Sequence, residues 1–529
     1  MGADSQDSAG EWARVRGLAE AYGLACVNEI DDALLAPELV GAIPVEWARA
    51  HVMLPVRIAG ETCLLLAEPA DLGRQQDVAL LLGGDARPVM APRAAILDAI
   101  ERCYFRRRDT AAEFMRDLGA GGEAGAVAAE VRADDLLRQA GEAPVTQLVN
   151  LILLEAVKAR ASDIHFEPFE NRLRVRYRVD GLLYERASPP KPLERALVSR
   201  IKVMGHLDIS ERRLPQDGMA RVRVGEREID IRVSTLPVAE GERVVLRLLN
   251  RDSSVIPLSD LGMAGGIRRP FDALLRQSNG LIIVCGPTGS GKTTTLYAAI
   301  RQLDTKGRNV LTIEDPVEYQ LPDIGQMQVK PKIGLTFAKG LRHILRQDPD
   351  VVLVGETRDT ETAEIAVRAS LTGHLVFTTL HTNDAAGAVI RMMDMGVEPY
   401  LLAAALRGAL AQRLVRKLCP ACRRATRVTD RELALLGPVG RGLKDAVIHE
   451  PAGCPACLGG YLGRIGIFEL LLVDEAAEAL IREGAAVARR LQAAPGAGTR
   501  RTLLDDGLDK VLAGETSLAE VMYAVGLAA

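Results

Sequence analysis

Gly286-Pro287-Thr288-Gly289-Ser290-Gly291-Lys292-Thr293 matches the pattern G-x-x-x-x-G-K-[ST] at every specified position. The run before it, Leu281–Cys285 (LIIVC), is short and wholly apolar, as a central parallel strand covered on both faces must be. A helix is expected after it, from about Lys292 to Leu303. This strand–loop–helix context separates a phosphate cradle from a chance glycine-rich turn. Glycines let consecutive backbone N–H groups turn inward onto phosphate oxygens without Cβ clashes. The helix adds the positive end of its dipole. Lys292 is then expected to reach the β- and γ-phosphates of ATP, and the Thr293 hydroxyl to ligate Mg2+.

Further apolar runs occur at Val310–Ile313, Val351–Val354 and Leu375–Thr379. Helical segments separate them, which predicts an α/β sheet. Val354 leads into Gly355-Glu356, the pattern of a strand delivering an acid that orders Mg2+ or activates the attacking water. An ordinary salt-bridging glutamate is the plain alternative. Glu314, Asp315 and Glu318 also come after a strand, and such crowding beside a polyphosphate makes sense only if a metal or arginines share the site. His374 and His381 bracket the run Leu375–Thr379. Either could sense a γ-phosphate or be a structural histidine, and both readings stay open here.

Of eight cysteines, Cys419 and Cys422 form one C-x2-C pair and Cys454 and Cys457 another. Two such pairs match a tetrahedral Zn2+ site filled by four thiolates, with no position left for water. A redox pair is the alternative, disfavoured by the flanking Pro and Gly. The gap between the pairs predicts a small helical insert. Cys26, Cys63, Cys103 and Cys285 lie among apolar neighbours and read as buried thiols.

The whole chain has 529 residues, 48% hydrophobic and 26% charged, which predicts a globular protein of about two to four domains. A net charge of −4 gives no basic field for nucleic acid. No run reaches the ~18 apolar residues of a membrane span, and the opening MGADSQDSAGEWAR has no apolar core. A cytoplasmic protein is expected. Residues 1–110 read as a first domain, with two strands in Ala48–Leu66 around the turn Ala59–Gly60 and a helix at Arg93–Tyr104. Residues 111–142, including GAGGEAGAVAAE, read as a linker. Residues 143–255 predict a small α+β domain: a helix at Val145–Arg160, strands at Arg172–Val179, Glu228–Val233 and Arg243–Leu249, and a hairpin turn at Asp180–Gly181. Residues 256–529 form the last domain, with the cysteine module at about 415–462.

With these motifs assembled, the chain from about Pro144 onward resembles the secretion ATPases of type II secretion and type IV pilus assembly. ASDIHFEP (Ala161–Pro168), YRVDG (Tyr177–Gly181) and RRLPQDG (Arg212–Gly218) look like the second N-terminal domain of that family. GPTGSGKTT (Gly286–Thr294), TIEDPVE, VVLVGETRD and TGHLVFTTLHTNDA look like its Walker A, Asp box, Walker B and His box. The cysteine pairs look like its metal-binding subdomain, and GRIGIFELL (Gly463–Leu471) like the segment that comes next in that family. The resemblance implies a homo-hexameric motor with a RecA-like P-loop domain, nucleotide lying between that domain and the preceding α+β domain. It implies that Glu356 is the catalytic glutamate, Glu314 an acid near the metal, His381 the His-box residue, and Arg232 and Arg247 arginine fingers. Arg342 and Arg346, one helical turn apart in LRHILRQDPD, are expected to face one way and are further candidates for a charged contact.

Two positions depart from the pattern. Met219 comes after QDG where the family usually has arginine, and residues 1–110 lack the repeated RLG-type motif of cyclic-di-GMP-binding relatives. That ligand is not expected. Residues 1–110 instead look like an adaptor that docks on an inner-membrane secretion protein with a cytoplasmic actin-like domain. The implied function is to turn over ATP and pass the motion to an inner-membrane platform protein, which adds pilin-like subunits to a filament. Membrane association would then be peripheral, through partners. IRVSTLP and the nearby GERVVLRLL lean toward type II secretion, with a pilus extension ATPase as the alternative. A nucleic-acid-translocating motor is disfavoured by the acidic balance and the lack of an aromatic-plus-basic stripe. A nucleotide-binding scaffold is disfavoured by the intact Lys292, Thr293 and Glu356, and a transporter ATPase of the ABC type by the lack of an LSGGQ-like signature.

Overall fold

The computed structural model describes residues 4–105 (without 37–38, 41–42, 44, 59, 70–73, 77, 79–81 and 83–85), 144–250 (without 225–226), 256–484 (without 304), 490–491 and 501–527. The expected linker at 111–142 lies outside the described residues. In the first domain, β1 (Ala25–Cys26), β2 (Met53–Ile58), β3 (Glu61–Leu66) and β4 (Arg87–Met90) make one sheet in the order β1-β4-β3-β2. β2 and β3 pair antiparallel as the sequence suggests, with Gly60 at φ 87° in the turn. The first strand begins later than expected, because Val45–His51 is helical. VEWARAH is rich in helix formers, and its Ala48 is fully buried from the helical turn. Cys26 is half-buried rather than buried, since β1 is a short edge strand. The helix Arg93–Phe105 is present as expected and buries Ile96 and Ile100 against Leu64 and Leu65.

The second domain holds β5 (Asp163–Pro168), β6 (Leu173–Val179), β7 (Leu182–Ala187), β8 (Gln216–Val224), β9 (Arg227–Val238) and β10 (Gly241–Asn250). They form an antiparallel sheet in the order β7-β6-β5-β10-β9-β8. Alternation decides its faces. Leu173, Val175, Tyr177 and Val179 of β6 point into a core shared with the helices Pro144–Lys158 and Glu194–Met204, while Arg174, Arg176 and Arg178 point away. The buried Tyr177 hydroxyl is satisfied by the Ile152 carbonyl (2.9 Å) and Glu155 (3.0 Å). Asp180 and Gly181, at φ 50° and 89°, turn the β6–β7 hairpin.

In the last domain, β11 (Gly280–Cys285), β12 (Val310–Glu314), β13 (Gly325–Gln328), β14 (Val351–Val354), β15 (Leu375–Leu380), β16 (Leu406–Leu418) and β19 (Tyr461–Leu472) form a sheet in the order β13-β12-β14-β15-β11-β16-β19. All neighbours are parallel except β19, which runs antiparallel to β16. Helices cover both faces, so every residue of β11 is buried, which is why its sequence is continuously apolar. Between the cysteine pairs, β17 (Arg424–Arg427) and β18 (Val447–Glu450) pair across a helix at Asp430–Leu436, which is the expected insert.

β19 is held at the sheet edge by the helix Leu503–Leu512. Asp506 is fully buried, accepts the Phe468 N–H at 2.9 Å and pairs with the buried ammonium of Lys510. Asp506→Ala strands that ammonium and is expected to cost about 3–5 kcal/mol, read as a lower urea midpoint. Asp506→Ala/Lys510→Met should recover most of the loss. A single variant as stable as the wild type would refute this account of the edge.

Candidate functional site

β11 delivers the loop Gly286–Thr293 at the C-terminal edge of the sheet, where ligands of open α/β sheets bind. A Cβ on Gly286 (φ 152°) would meet the Gln412 carbonyl oxygen at 2.4 Å and Ser290 Oγ at 2.6 Å, so only glycine fits. Among the described residues, no protein group hydrogen-bonds the buried Ser290 Oγ, the kind of group a phosphate oxygen satisfies. Lys292 Nζ donates to the carbonyls of Gly286 (2.9 Å) and Pro287 (3.0 Å), which keeps it over the loop. Its pKa is lowered, mainly by burial, against the opposing charge of Glu356. The loop therefore fits a triphosphate, with Thr293 at the start of the helix Lys292–Arg301.

Two residues that the sequence reading missed support the cradle. Gln412 of β16 is 2% exposed, and its side chain accepts the Thr295 hydroxyl at 2.7 Å. Arg413 donates to Asn383 Oδ1 (2.9 Å) and the Asn383 carbonyl (3.2 Å), and its charge acts on Lys292. A signal did exist: a polar pair inside the apolar strand GALAQRLV is costly unless it has partners.

Glu356 lies just past β14, and a threonine ladder fastens it to β15. The Thr357 N–H meets the Thr379 carbonyl (3.1 Å), the Thr357 and Thr378 hydroxyls bond at 2.7 Å, and Thr379 Oγ1 donates to the Gly355 carbonyl at 2.6 Å. The ladder brings Glu356 within 4.0 Å of His381 Nε2, while Arg358 Nε lies 2.7 Å from the same carboxylate oxygen. Burial and the Lys292 charge push the His381 pKa below its ordinary value, against the pull of Glu356. Its imidazole is thus neutral at pH 7. His374 sits at the opposite end of β15, where its ring lies 2.9 Å from the Ala369 carbonyl, so the two histidines occupy different edges of the sheet.

Glu314 ends β12 and is 3% exposed. It accepts the Tyr297 hydroxyl, the Thr312 hydroxyl (2.5 Å) and the Gln326 amide (3.2 Å). Burial and the Glu314 carboxylate push the Tyr297 pKa up, which keeps that hydroxyl a donor. A Cβ on Gly355 would stand 3.2 Å from Glu314 Cα, so the carboxylate lies directly behind the Glu356 segment.

Arg232 and Arg247 lie elsewhere, opposite one another on β9 and β10 on the outer face of the second sheet. Among the described residues, no hydrogen bond or ion pair joins either to the loop Gly286–Thr293. Met219 is the cross-strand neighbour of Arg232 and is exposed. Arg342 pairs with Glu361 at 2.5 Å, whereas Arg346 lies beyond the helix Phe337–Ile344, so the two do not share a helical face as expected.

The cysteine pairs meet because β16 and β19 are antiparallel. Leu418 pairs with Tyr461, and the Cys419 N–H meets the Gly460 carbonyl at 2.8 Å. The four Sγ atoms lie within 4.8 Å of one another, with separations of 3.9 Å (Cys419–Cys454), 3.7 Å (Cys422–Cys457) and 3.6 Å (Cys454–Cys457). A Zn–S length of about 2.3 Å implies tetrahedral edges of about 3.8 Å, so the cluster fits zinc.

A family model described as "Type II/IV secretion system protein" matches residues 138–523, and one described as "MshEN domain" matches residues 22–110. The chain is 47% identical over 506 residues to the type II secretion system protein E of Dickeya dadantii (strain 3937), covering 93% of this chain and 98% of that protein. It is 42% identical over 509 residues to the type IV pilus assembly ATPase PilB of Myxococcus xanthus (strain DK1622), covering 96% and 89%. The X-ray structure of the Legionella pneumophila ATPase DotB superposes with a TM-score of 0.52 at 21% identity, covering 72% of this chain and 95% of that one, a likeness of fold.

Gly286→Ala is expected to abolish binding of a fluorescent ATP analogue; retained affinity would contradict the steric account. The wild-type protein should carry about one zinc per chain by elemental analysis. Cys419→Ser should release it and lower the thermal midpoint.

Proposed function

The chain belongs to the type II/IV secretion system protein family, whose members include secretion ATPases, and from that premise we propose that it is the ATPase of a type II secretion machine. The observation that carries the catalytic half of this reading is the meeting of Lys292, Glu356 and His381 beside an intact phosphate loop. Gly286–Thr294 bind the triphosphate through inward-turned amides, and Lys292 neutralises the β- and γ-phosphates. Glu356, braced by Arg358 and the threonine ladder, orients and deprotonates the attacking water. His381 is neutral and within reach of the same carboxylate, so it can share a hydrogen bond at the γ-phosphate. Thr293 would hold Mg2+, which would supply charge neutralisation, and Glu314 would be the buried acid near it.

The last domain is RecA-like in this reading, and six copies form a ring. Arg232 and Arg247 of the second domain then approach the nucleotide as arginine fingers, which suits a spreading γ-phosphate charge. The four cysteines hold a structural Zn2+. Residues 1–110 dock on an inner-membrane protein with a cytoplasmic actin-like domain, and a platform protein receives the motion that assembles a pilin-like filament. The protein works in the cytoplasm, and no helix among the described residues is long and apolar enough to cross a membrane. Pilus assembly is the second reading, favoured by the 42% identity to a pilus assembly ATPase over 96% of the chain.

Glu356→Gln is expected to keep ATP affinity and lose at least about 100-fold in turnover; a wild-type rate would undo the catalytic assignment. The tagged full-length chain, used to capture proteins from solubilised membranes, should recover the inner-membrane protein with an actin-like domain. Recovery of pilus-platform components in its place would move the protein to the second reading.

A further inference from the structure

The outer face of the second sheet carries rows of charged residues, and these rows sort the arginines by what each guanidinium is still free to do. Glu167, 3% exposed, takes Nη2 of Arg174 (2.9 Å), Nη2 of Arg176 (2.6 Å) and Nη2 of Arg243 (2.7 Å). Those three arginines spend terminal nitrogens inside the sheet. The row through Asp163 is built differently. Strand register sets Arg178, Asp163, Arg247 and Arg232 side by side across β6, β5, β10 and β9. Asp163, 5% exposed, holds Arg247 by Nε at 2.9 Å, and among the described residues no partner takes the terminal nitrogens of Arg247. Arg232 next to it has no hydrogen-bond or ion-pair partner among the described residues. Like charges directly opposite on neighbouring strands repel, so this corner of the face is short of one anion.

We propose that Asp163 is a positioning residue for ATP turnover: by gripping Arg247 at Nε alone, it aims the two terminal nitrogens at the γ-phosphate. The inference rests on the reading of Arg247 as a phosphate-contacting residue. Asp163 is itself fixed, since the Ser162 hydroxyl donates to it at 2.8 Å and Arg178 Nε stands 3.8 Å away on the far side. Burial would raise its pKa, but the hydrogen bonds from Arg247 and Ser162 outweigh that and leave the carboxyl below its ordinary value. It is therefore a fixed anion at neutral pH. A grip at Nε leaves the outer fork of the guanidinium open, and that fork is the part which matches phosphate geometry.

The test measures kcat, KM and thermal midpoint for ATP hydrolysis by the assembled full-length protein. Asp163→Asn should lower kcat about 10- to 100-fold while KM moves less than about twofold. Arg247→Gln should do the same, and the double variant should be no slower than Arg247→Gln alone, because one residue acts through the other. Asp163→Glu, which keeps the charge, should recover part of the rate. A slow Arg247→Gln beside a wild-type Asp163→Asn would overturn the positioning role alone. A wild-type rate for Arg247→Gln would overturn the phosphate reading and the proposal with it. If Asp163→Asn does not fold, Ser162→Ala removes the 2.8 Å contact, together with the 3.3 Å bond to the Arg178 carbonyl: a fall of about threefold in kcat supports the proposal, and no change overturns it.

Discussion

Parallel pairing of β11 between β15 and β16 carries the rest of the molecule. One register, Gly280–Cys285 against Leu375–Leu380, sets the loop Gly286–Thr293 beside His381. A second, Ile282–Cys285 against Gly408–Ala411, slides Gln412 under the same loop. β14 adds Glu356 from the other side of β15. Because side chains alternate along a strand, a slip of one residue in either register would turn Gln412 or His381 to the wrong face. The continuous burial of β11 makes such a slip costly, since each large side chain moved into water loses about 1.5–3 kcal/mol.

The second sheet solves a different problem, that of packing many guanidinium groups on one face. Only two carboxylates of β5 serve five arginines of the flanking strands: Glu167 meets Arg174, Arg176 and Arg243, and Asp163 meets Arg178 and Arg247. His165 lies between them, buried, with neither ring nitrogen bonded among the described residues, and its pKa is pushed down by burial and by Arg178. A neutral imidazole there spares the face one more positive charge.

Much of this was legible in the residues themselves. G-x-x-x-x-G-K-[ST] after LIIVC announced its own strand, loop and helix, and alternation in LRVRYRV announced a half-buried strand. The two C-x2-C pairs carried their geometry in their spacing. Gln412 and Arg413 escaped notice because they reach the loop across a strand pairing between residues far apart in sequence. Residue types alone left His374 and His381 open; the resemblance pointed to His381, and strand polarity puts it at the loop end of β15. The early helix at Val45–His51 escaped for a local reason: seven residues with one buried face hold too little periodicity to separate helix from strand.

β16 and β19 are neighbours in the sheet, yet the chain leaves β16 at Leu418 and returns only at Tyr461. In polymer terms this is a hairpin with a very long loop, and closing such a loop costs roughly 3 kcal/mol of chain entropy by (3/2)RT ln n. A metal on Cys419, Cys422, Cys454 and Cys457 would cross-link the two feet of that loop and pin its ends before the strands zip. The hairpin tip of the second domain rests just beyond the knot: Asp180 accepts the Gly463 N–H at 2.9 Å and lies 3.4 Å from Arg464 Nε. The seam between two domains thereby adjoins the cysteine cluster, so a metal held there would steady a joint as well as a loop.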